Sequence, residues 1–96
     1  MKEILQSKAD IGTVDVDLVR TLKGKLCERS VRFAFLKKDG TVRETRGTRN
    51  LNLIPNEHIP KGKDKIVLGT IPFWDLEAET WKSCREDSLL WVELES

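Results

Sequence analysis

Arginine and tryptophan are the residues of this chain whose type and spacing best suit ligand chemistry. Basic and amide side chains gather on one polar stretch, at Arg43, Arg46, Arg49 and Asn50. The aromatic candidates are three tryptophans, Trp74, Trp81 and Trp91. A guanidinium is a flat, permanently charged group that pairs with phosphate oxygens, and a base stacked on an aromatic ring gains roughly 1–3 kcal/mol. Together they are typical of single-strand nucleic-acid binding. In a protein this small, the tryptophans could equally well fill the hydrophobic core.

No residue pattern indicates catalysis. The sequence lacks a nucleophile elbow, a P-loop, a dinucleotide-binding glycine turn and an HExxH helix. His58, the only histidine, lies beside Glu57 in a charged loop, and no nucleophile near it needs a base. Asp75, Glu77 and Glu79 border a predicted hairpin turn, where we expect solvated charges. We therefore expect a protein without enzymatic activity and without a cofactor.

The two cysteines, Cys27 and Cys84, are too far apart for a CxxC pair, and one histidine adds too few ligands for a zinc site. We expect both to be free thiols that pack as small hydrophobic side chains, the alternative being a disulfide between them. No metal site is predicted.

Length and hydropathy indicate one small domain. The 96 residues cannot hold a second independent core. No apolar run approaches the ~20 residues of a membrane helix, and the mixed-charge start does not resemble a secretory signal. The expected compartment is the cytoplasm, with no membrane partner.

Charge is distributed unevenly along the chain. Residues 20–49 contain ten basic and three acidic side chains, a net +7, whereas residues 75–96 contain two basic and seven acidic ones, a net −5. Such asymmetry marks either a face that binds polyanions or two halves that neutralise each other across neighbouring strands. In the second case, Arg43 and Arg46 would pair with Glu44 or with acids of the C-terminal strands.

The first third of the chain predicts one short helix. Residues 1–12 have no period, so we expect them to be flexible or to add a short edge strand. One helical face is formed by apolar residues that recur every four positions, Val14, Leu18 and Leu22. Thr13 is the expected N-cap and Gly24 the expected left-handed residue after the last turn. These signals give a helix over residues 13–23.

The remainder predicts about five short strands joined by tight turns. Period-two alternation begins at Val31, and Asp39 with Gly40 supplies the turn of a hairpin. The returning strand, Val42–Thr48, is so polar that one face must meet water or a ligand, and Gly47 within it indicates a bulge or a close backbone approach. Further strands are expected at residues 71–76, 81–85 and 89–94, and residues 66–68 could form one more. Residues 13–96 would then form one small closed barrel.

Alternation orders the aromatic residues of the C-terminal strands. One face of the last strand carries Leu90, Val92 and Leu94. Leu89 and Trp91 should therefore point the other way, and Phe73 on the core side would leave Trp74 outside. A patch of Leu89, Trp91 and Trp74 would exceed scattered apolar exposure, and it could pair with a second copy or a host protein just as well as hold a base.

Several blocks between Val31 and Leu90 are similar to a known family. They read FLKKDGT (35–41) followed by Arg43, TRN (48–50), LIP (53–55), WDLE (74–77) and WKSCREDSL (81–89). In this order they resemble small, uncharacterised phage and gut-bacterial proteins described as WYL-like, Sm/SH3-type β-barrels, whose last blocks read WDLE and WRSFR.DSI. Here Lys82 replaces the usual arginine and Cys84 replaces an aromatic residue. Any ligand contact that this aromatic residue makes in the family is therefore lost.

The resemblance implies a mainly β fold, a small SH3/Sm-like barrel of about five antiparallel strands preceded by one short N-terminal helix. By analogy with WYL domains it also implies a module that binds nucleic acid or a nucleotide-like ligand and for which a regulatory role is expected. The residues expected to bind the ligand are Arg43, Arg46, Arg49, Asn50, Trp74, Trp81, Lys82 and Arg85. The alternative is a protein-interaction or self-association module whose face is built on Leu89 and Trp91.

Overall fold

The computed structural model of the protein describes residues 2–10, 12–59 and 69–95. These residues form a mainly β structure with one α-helix. The elements are β1 (Lys2–Gln6), α1 (Val16–Glu28), β2 (Val31–Leu36), β3 (Val42–Thr48), β4 (Thr70–Asp75), β5 (Thr80–Arg85) and β6 (Leu89–Glu95). Single 3₁₀ turns lie at Leu51–Leu53, Asn56–His58 and Glu86–Ser88. No helix in this described part is long and apolar enough to cross a membrane.

The strands form one antiparallel sheet in the order β1-β6-β2-β3-β4-β5. Strand pairs β1–β6, β2–β3 and β4–β5 extend over most of their length, whereas β2 and β6 pair at three positions and β3 meets β4 only at Gly47 with Asp75 and at Thr48 with Trp74. The prediction of a mainly antiparallel β protein is confirmed. Three details differ from the prediction. The sheet has six strands, α1 follows β1 rather than preceding the sheet, and no pairing among the described residues closes β1 onto β5.

Strand β1 accounts for the additional strand. It pairs along its whole length with β6, from Lys2 opposite Glu95 to Gln6 opposite Trp91. For residues 1–12 we expected either a flexible segment or a short edge strand, and residues 2–6 form the edge strand. Leu5 packs against the core from this strand. One such contact in five residues is too little for a period to show in the sequence.

Helix α1 starts and ends later than predicted. Asp15, not Thr13, is the N-cap, and its carboxylate accepts the N–H of Leu18 at 3.1 Å. The helix continues to Glu28 because Leu26 extends the buried face by one more turn. Gly24, the predicted stop, is therefore an exposed residue inside the helix.

The core lies between α1 and one face of the sheet, which we call the core face; the other is the outer face. Buried side chains of α1 pack with residues of β2, β4, β5 and β6. The best buried aromatic pair is Phe33 and Phe73, whose ring centroids are 5.0 Å apart at an edge-to-face angle of 85°. Strands β3, β4 and β5 carry the polar residues that lie at the border of this core.

The hairpin and its glycine follow the sequence prediction. Strands β2 and β3 pair from Val31 opposite Gly47 to Leu36 opposite Val42, and Gly40 takes a positive φ of 89° in the turn. A Cβ on Gly47 would lie 2.6 Å from Cδ2 of Phe73, which confirms the expected close approach. Residues 66–68, predicted as a strand, lie outside the described residues.

Candidate functional site

The centre of the candidate site is a buried carboxylate. Asp75, the last residue of β4, has 0% of its surface exposed. Its Oδ1 accepts the N–H groups of Glu77 at 2.9 Å and Ala78 at 3.0 Å. Its Oδ2 accepts the hydroxyl of Thr45 at 3.2 Å and lies 3.1 Å from Nζ of Lys82. The expectation that Asp75 is a solvated charge is therefore wrong, because paired donors from three parts of the chain satisfy it.

These donors keep Asp75 ionised. Burial alone would raise the pKa of this carboxyl group, because a low-dielectric surrounding disfavours charge. The N–H of Ala78, the ammonium of Lys82 and the N–H of Glu77 outweigh burial, so the pKa of Asp75 lies below its ordinary value. A fixed negative charge therefore stands at the border of the core.

Arg43 is the second cation at this carboxylate. Its Nη2 lies 4.0 Å from Oδ2 of Asp75, beyond hydrogen-bond distance. We call Arg43, Thr45, Asp75 and Lys82 the Asp75 cluster. A carboxylate offers about four lone-pair positions, and Glu77, Ala78, Thr45 and Lys82 already supply donors to Asp75. The guanidinium of Arg43 is therefore surplus to the needs of the buried carboxylate.

The strand register explains why charged residues meet beside an aromatic core. Arg43 lies opposite Phe35, and Lys82 lies opposite Phe73. The Phe35 and Phe73 centroids are 6.3 Å apart. Residues directly opposite on paired strands share a face, so Arg43 and Lys82 lie on the core face, at its border. Their side chains remain 43% and 36% exposed, so they still meet solvent.

Two other predicted arginines lie elsewhere. Arg46 is half-buried and faces Arg32 across the outer face, where Arg32 pairs with Glu44 at 2.8 Å. Arg49 follows β3 and donates its backbone N–H to the carbonyl of Leu26 at 2.7 Å. The structure therefore brings Arg43 together with Lys82, and places Arg46 and Arg49 apart from them.

Asn50 holds the chain rather than facing a ligand. Its Nδ2 donates to the Glu28 carbonyl at 3.0 Å, and its Oδ1 accepts the N–H of Asn52 at 3.0 Å. The neighbouring Thr48 hydroxyl donates to the carbonyl of Leu26 at 3.1 Å. These contacts tie the end of α1 to the end of β3, so we assign Asn50 a structural role.

The exposure predicted for Trp74 is wrong. Only 2% of its surface is exposed, because the ring of His58 lies on it with centroids 4.9 Å apart. Trp81 packs edge-to-face on Trp74 at 5.9 Å and donates its indole N–H to the His58 carbonyl at 2.7 Å. A 3₁₀ turn distant in sequence thus covers Trp74, which strand alternation could not reveal. Trp81 remains half-buried on the outer face of β5.

The predicted Leu89–Trp91 pair is divided between the two faces. Leu89 is 5% exposed and belongs to the core. The register of β2 and β6 shifts between Ala34 and Phe35, so Leu89 lies opposite Phe35 while Trp91 lies opposite Ala34. A bulge of this kind breaks alternation. Trp91 is half-buried on the outer face.

Some basic residues pair with the acidic C-terminal part, as the neutralisation interpretation predicts. Lys23 lies 3.5 Å from Glu86, and Arg43 approaches Asp75. Arg85, 64% exposed on β5, pairs with Asp87 at 2.9 Å, which is a contact within the C-terminal part itself. The neutralisation interpretation therefore holds for Lys23 and Arg43, whose side chains are still 45% and 43% exposed.

The cysteines are free, as expected, but only one is buried. Cys84 lies on the core face opposite Ile71, and burial, aided by Glu86, raises the pKa of its thiol to about 12. Cys27 is exposed on α1, contrary to the expectation of a packed side chain. Within the described ranges, no group of three or more His, Cys, Asp or Glu side chains could hold a metal ion.

Comparison with known proteins identifies a match over most of the chain. A family model described as WYL_2, Sm-like SH3 beta-barrel fold, matches residues 19–90. The match starts inside α1 and ends inside β6, so β1 lies outside it. No curated protein and no solved structure matches the chain.

Proposed function

Because the chain belongs to the WYL_2 family of the Sm-like SH3 β-barrel fold, we propose that it is a small non-enzymatic module that binds nucleic acid or a nucleotide-like anion. A fold of this type hosts many functions, so the ligand class is inferred from the side chains. The Asp75 cluster is the centre of the proposed site.

The observation that carries the proposal is the surplus of positive charge at one buried carboxylate. Arg43 and Lys82 both face Asp75, which gives the cluster a net +1. Asp75 is saturated without Arg43, so the guanidinium can direct its N–H donors to a phosphate with little loss to the fold. Lys82 is held in place by the same carboxylate, which reduces the ordering cost of binding.

Strand β5 extends this site along the edge of the sheet. Among the described residues, β5 pairs only with β4, so its other edge is open. It carries no acidic residue. Trp81 and Lys82 are neighbours on opposite faces of this strand. A single strand of nucleic acid that crosses the edge would place a base against Trp81 and a phosphate near Lys82, with Arg85 further along.

The test is a fluorescence-polarisation titration with short labelled single-stranded DNA and RNA at low salt. The variant combines Arg43→Ala with Lys82→Gln, because glutamine keeps a donor for Asp75 while removing the charge. Loss of the two phosphate contacts should weaken binding by about tenfold or more. The matched control, Lys37→Ala with Lys38→Ala, removes the same charge from exposed lysines after β2.

Two results would contradict the proposal. If the folded wild-type protein binds neither oligonucleotide at low salt, the anionic ligand class is wrong. If the control variant loses as much affinity as the cluster variant, binding depends on overall charge and not on this site. Circular dichroism establishes that both variants are folded.

A further inference from the structure

A separate cavity of about 270 Å³ lies where β1 ends, β2 ends and β6 begins. Its walls include Gln6, Asp10, Leu36, Asp87, Leu90 and Trp91. No residue of the Asp75 cluster lines it. Nothing in the proposed anion-binding function uses this cavity, so it requires its own explanation.

The chain's own hydrogen bonds hold the walls in place. The N–H of Ser7 donates to the carbonyl of Leu90 at 2.8 Å and thereby continues the β1–β6 ladder. The hydroxyl of Ser88 donates to the carbonyl of Arg85 at 2.9 Å and fixes the start of β6. The cavity is therefore present before any ligand arrives, which is usual for binding sites.

The charge of the lining selects a cation. Asp10 and Asp87 line the cavity, and no basic side chain does. Asp87 pairs with Arg85 through Oδ2 only. The carboxylate of Asp10 is exposed and forms no ion pair with any described residue. With Asp87 paired to Arg85, Asp10 is the acid of the lining that can still give an ammonium or guanidinium group a charge-assisted hydrogen bond.

The remaining walls fit the stem of a long side chain. Trp91 already attracts one cation, because the guanidinium carbon of Arg32 lies 5.8 Å from its ring centroid. Leu36 and Leu90 add apolar surface for methylene groups. The volume lies below the roughly 300–1,000 Å³ of sites for drug-sized ligands, so one side chain is the appropriate size.

We propose that this cavity receives one lysine or arginine side chain of a partner protein. The site goes beyond the proposed anion-binding function, since it uses other residues and selects the opposite charge. It also takes the place of the predicted exposed Leu89–Trp91 patch, because Leu89 is a core residue that lines a defined cavity together with Trp91.

The experiment is a titration of ¹⁵N-labelled protein with blocked tripeptides, followed by NMR. The probes are Gly-Lys-Gly, Gly-Arg-Gly and Gly-norleucine-Gly, of which the last keeps the stem but lacks the charge. We expect the two basic peptides to shift the indole N–H of Trp91 and the backbone N–H of Leu36 saturably. The norleucine peptide should leave both signals unchanged.

Variants assign the contact to the cavity. Asp10→Asn should raise the dissociation constant of the lysine peptide by about tenfold, the value of one charge-assisted contact. Glu3→Gln removes an exposed acid of β1 outside the cavity and should leave the constant unchanged. Three results would each overturn the proposal. The norleucine peptide could shift the signals as much as the basic peptides do, Asp10→Asn could leave the dissociation constant unchanged, or no peptide could shift any signal. The Arg43→Ala and Lys82→Gln variant should respond like the wild type, which separates this test from that of the anion site.

Discussion

The substitution Asp75→Asn removes one negative charge from the buried centre of the Asp75 cluster and keeps the shape of the side chain. The amide oxygen can still accept the N–H groups of Glu77 and Ala78, while its NH₂ group then faces the Thr45 hydroxyl and the Lys82 ammonium. The Thr45 hydroxyl can rotate to accept, but Lys82 loses its charged partner. A hydrogen bond to a charged group is worth roughly 1.5–3 kcal/mol. Since Lys82 is partly exposed and can be hydrated, we expect unfolding to become easier by about 2 kcal/mol.

The same substitution should strengthen binding of a polyanion. Without Asp75 the cluster carries two uncompensated cations, Arg43 and Lys82, rather than a net +1. Each phosphate neutralised on a single strand adds about 0.7 to the salt dependence of log K. We therefore expect tighter binding at low salt and a slope steeper by about that amount. Urea unfolding, followed by tryptophan fluorescence, and oligonucleotide polarisation measure the two effects.

Asp39→Asn is the matched control, because it removes the same charge from an exposed turn where Asp39 accepts the N–H of Thr41 at 3.0 Å. It should leave the salt slope unchanged. Two outcomes would contradict this role of Asp75. If Asp75→Asn is as stable as the wild type, the buried carboxylate does not organise the cluster. If both variants bind alike, the location of the charge is irrelevant.

The pH dependence of stability gives a further check on Asp75. Its folded-state pKa lies below the ordinary value, whereas in the unfolded chain an aspartate has a pKa of about 3.9. Its contribution is therefore present above about pH 4 and is lost as the pH falls toward the folded-state pKa. The stability difference between wild type and Asp75→Asn should shrink with increasing acidity. A constant difference down to acid unfolding would contradict the lowered pKa.

Two further predictions concern packing and thiol reactivity. Gly47→Ala should lower the free energy of unfolding by about 1–3 kcal/mol, because the new Cβ would meet Phe73. Gly24→Ala has open space around it in α1 and should raise the free energy of unfolding by roughly 1 kcal/mol. Urea unfolding of both variants measures these two changes, and changes of the same sign and size would contradict the packing at Gly47. In the native protein a thiol reagent should modify Cys27 quickly and Cys84 only after unfolding, because burial keeps the Cys84 thiol protonated; mass spectrometry counts the labels, and two labels before unfolding would be the contrary result.

Local signals in the sequence were sufficient for the central hairpin. Period-two alternation, the Asp39–Gly40 turn and the glycine at Gly47 each depend on near neighbours or on backbone freedom, and each is seen in the structure. The helix was predicted, but its bounds moved because Leu26 packs on the core from one turn further along. Such an extension depends on tertiary contact, which propensity does not encode.

The site was predicted less completely, for physical reasons that lie outside local sequence. Arg43 and Lys82 were chosen for their charge, but their convergence on Asp75 depends on the register of three strands. Charged residues are rarely buried, so nothing local marked Asp75 as buried. Leu89 was misplaced because a register shift in the β2–β6 pairing reverses the face of a residue.

The claim that the Asp75 cluster binds a phosphate-bearing ligand is best checked by titrating one single-stranded oligonucleotide across a salt series. The titration compares the wild type with the Arg43→Ala and Lys82→Gln variant. Counterion release predicts a linear fall of log K with log salt for the wild type. The variant should give a slope shallower by about 1.4, corresponding to two lost phosphate contacts. Identical slopes for the two proteins would contradict the claim.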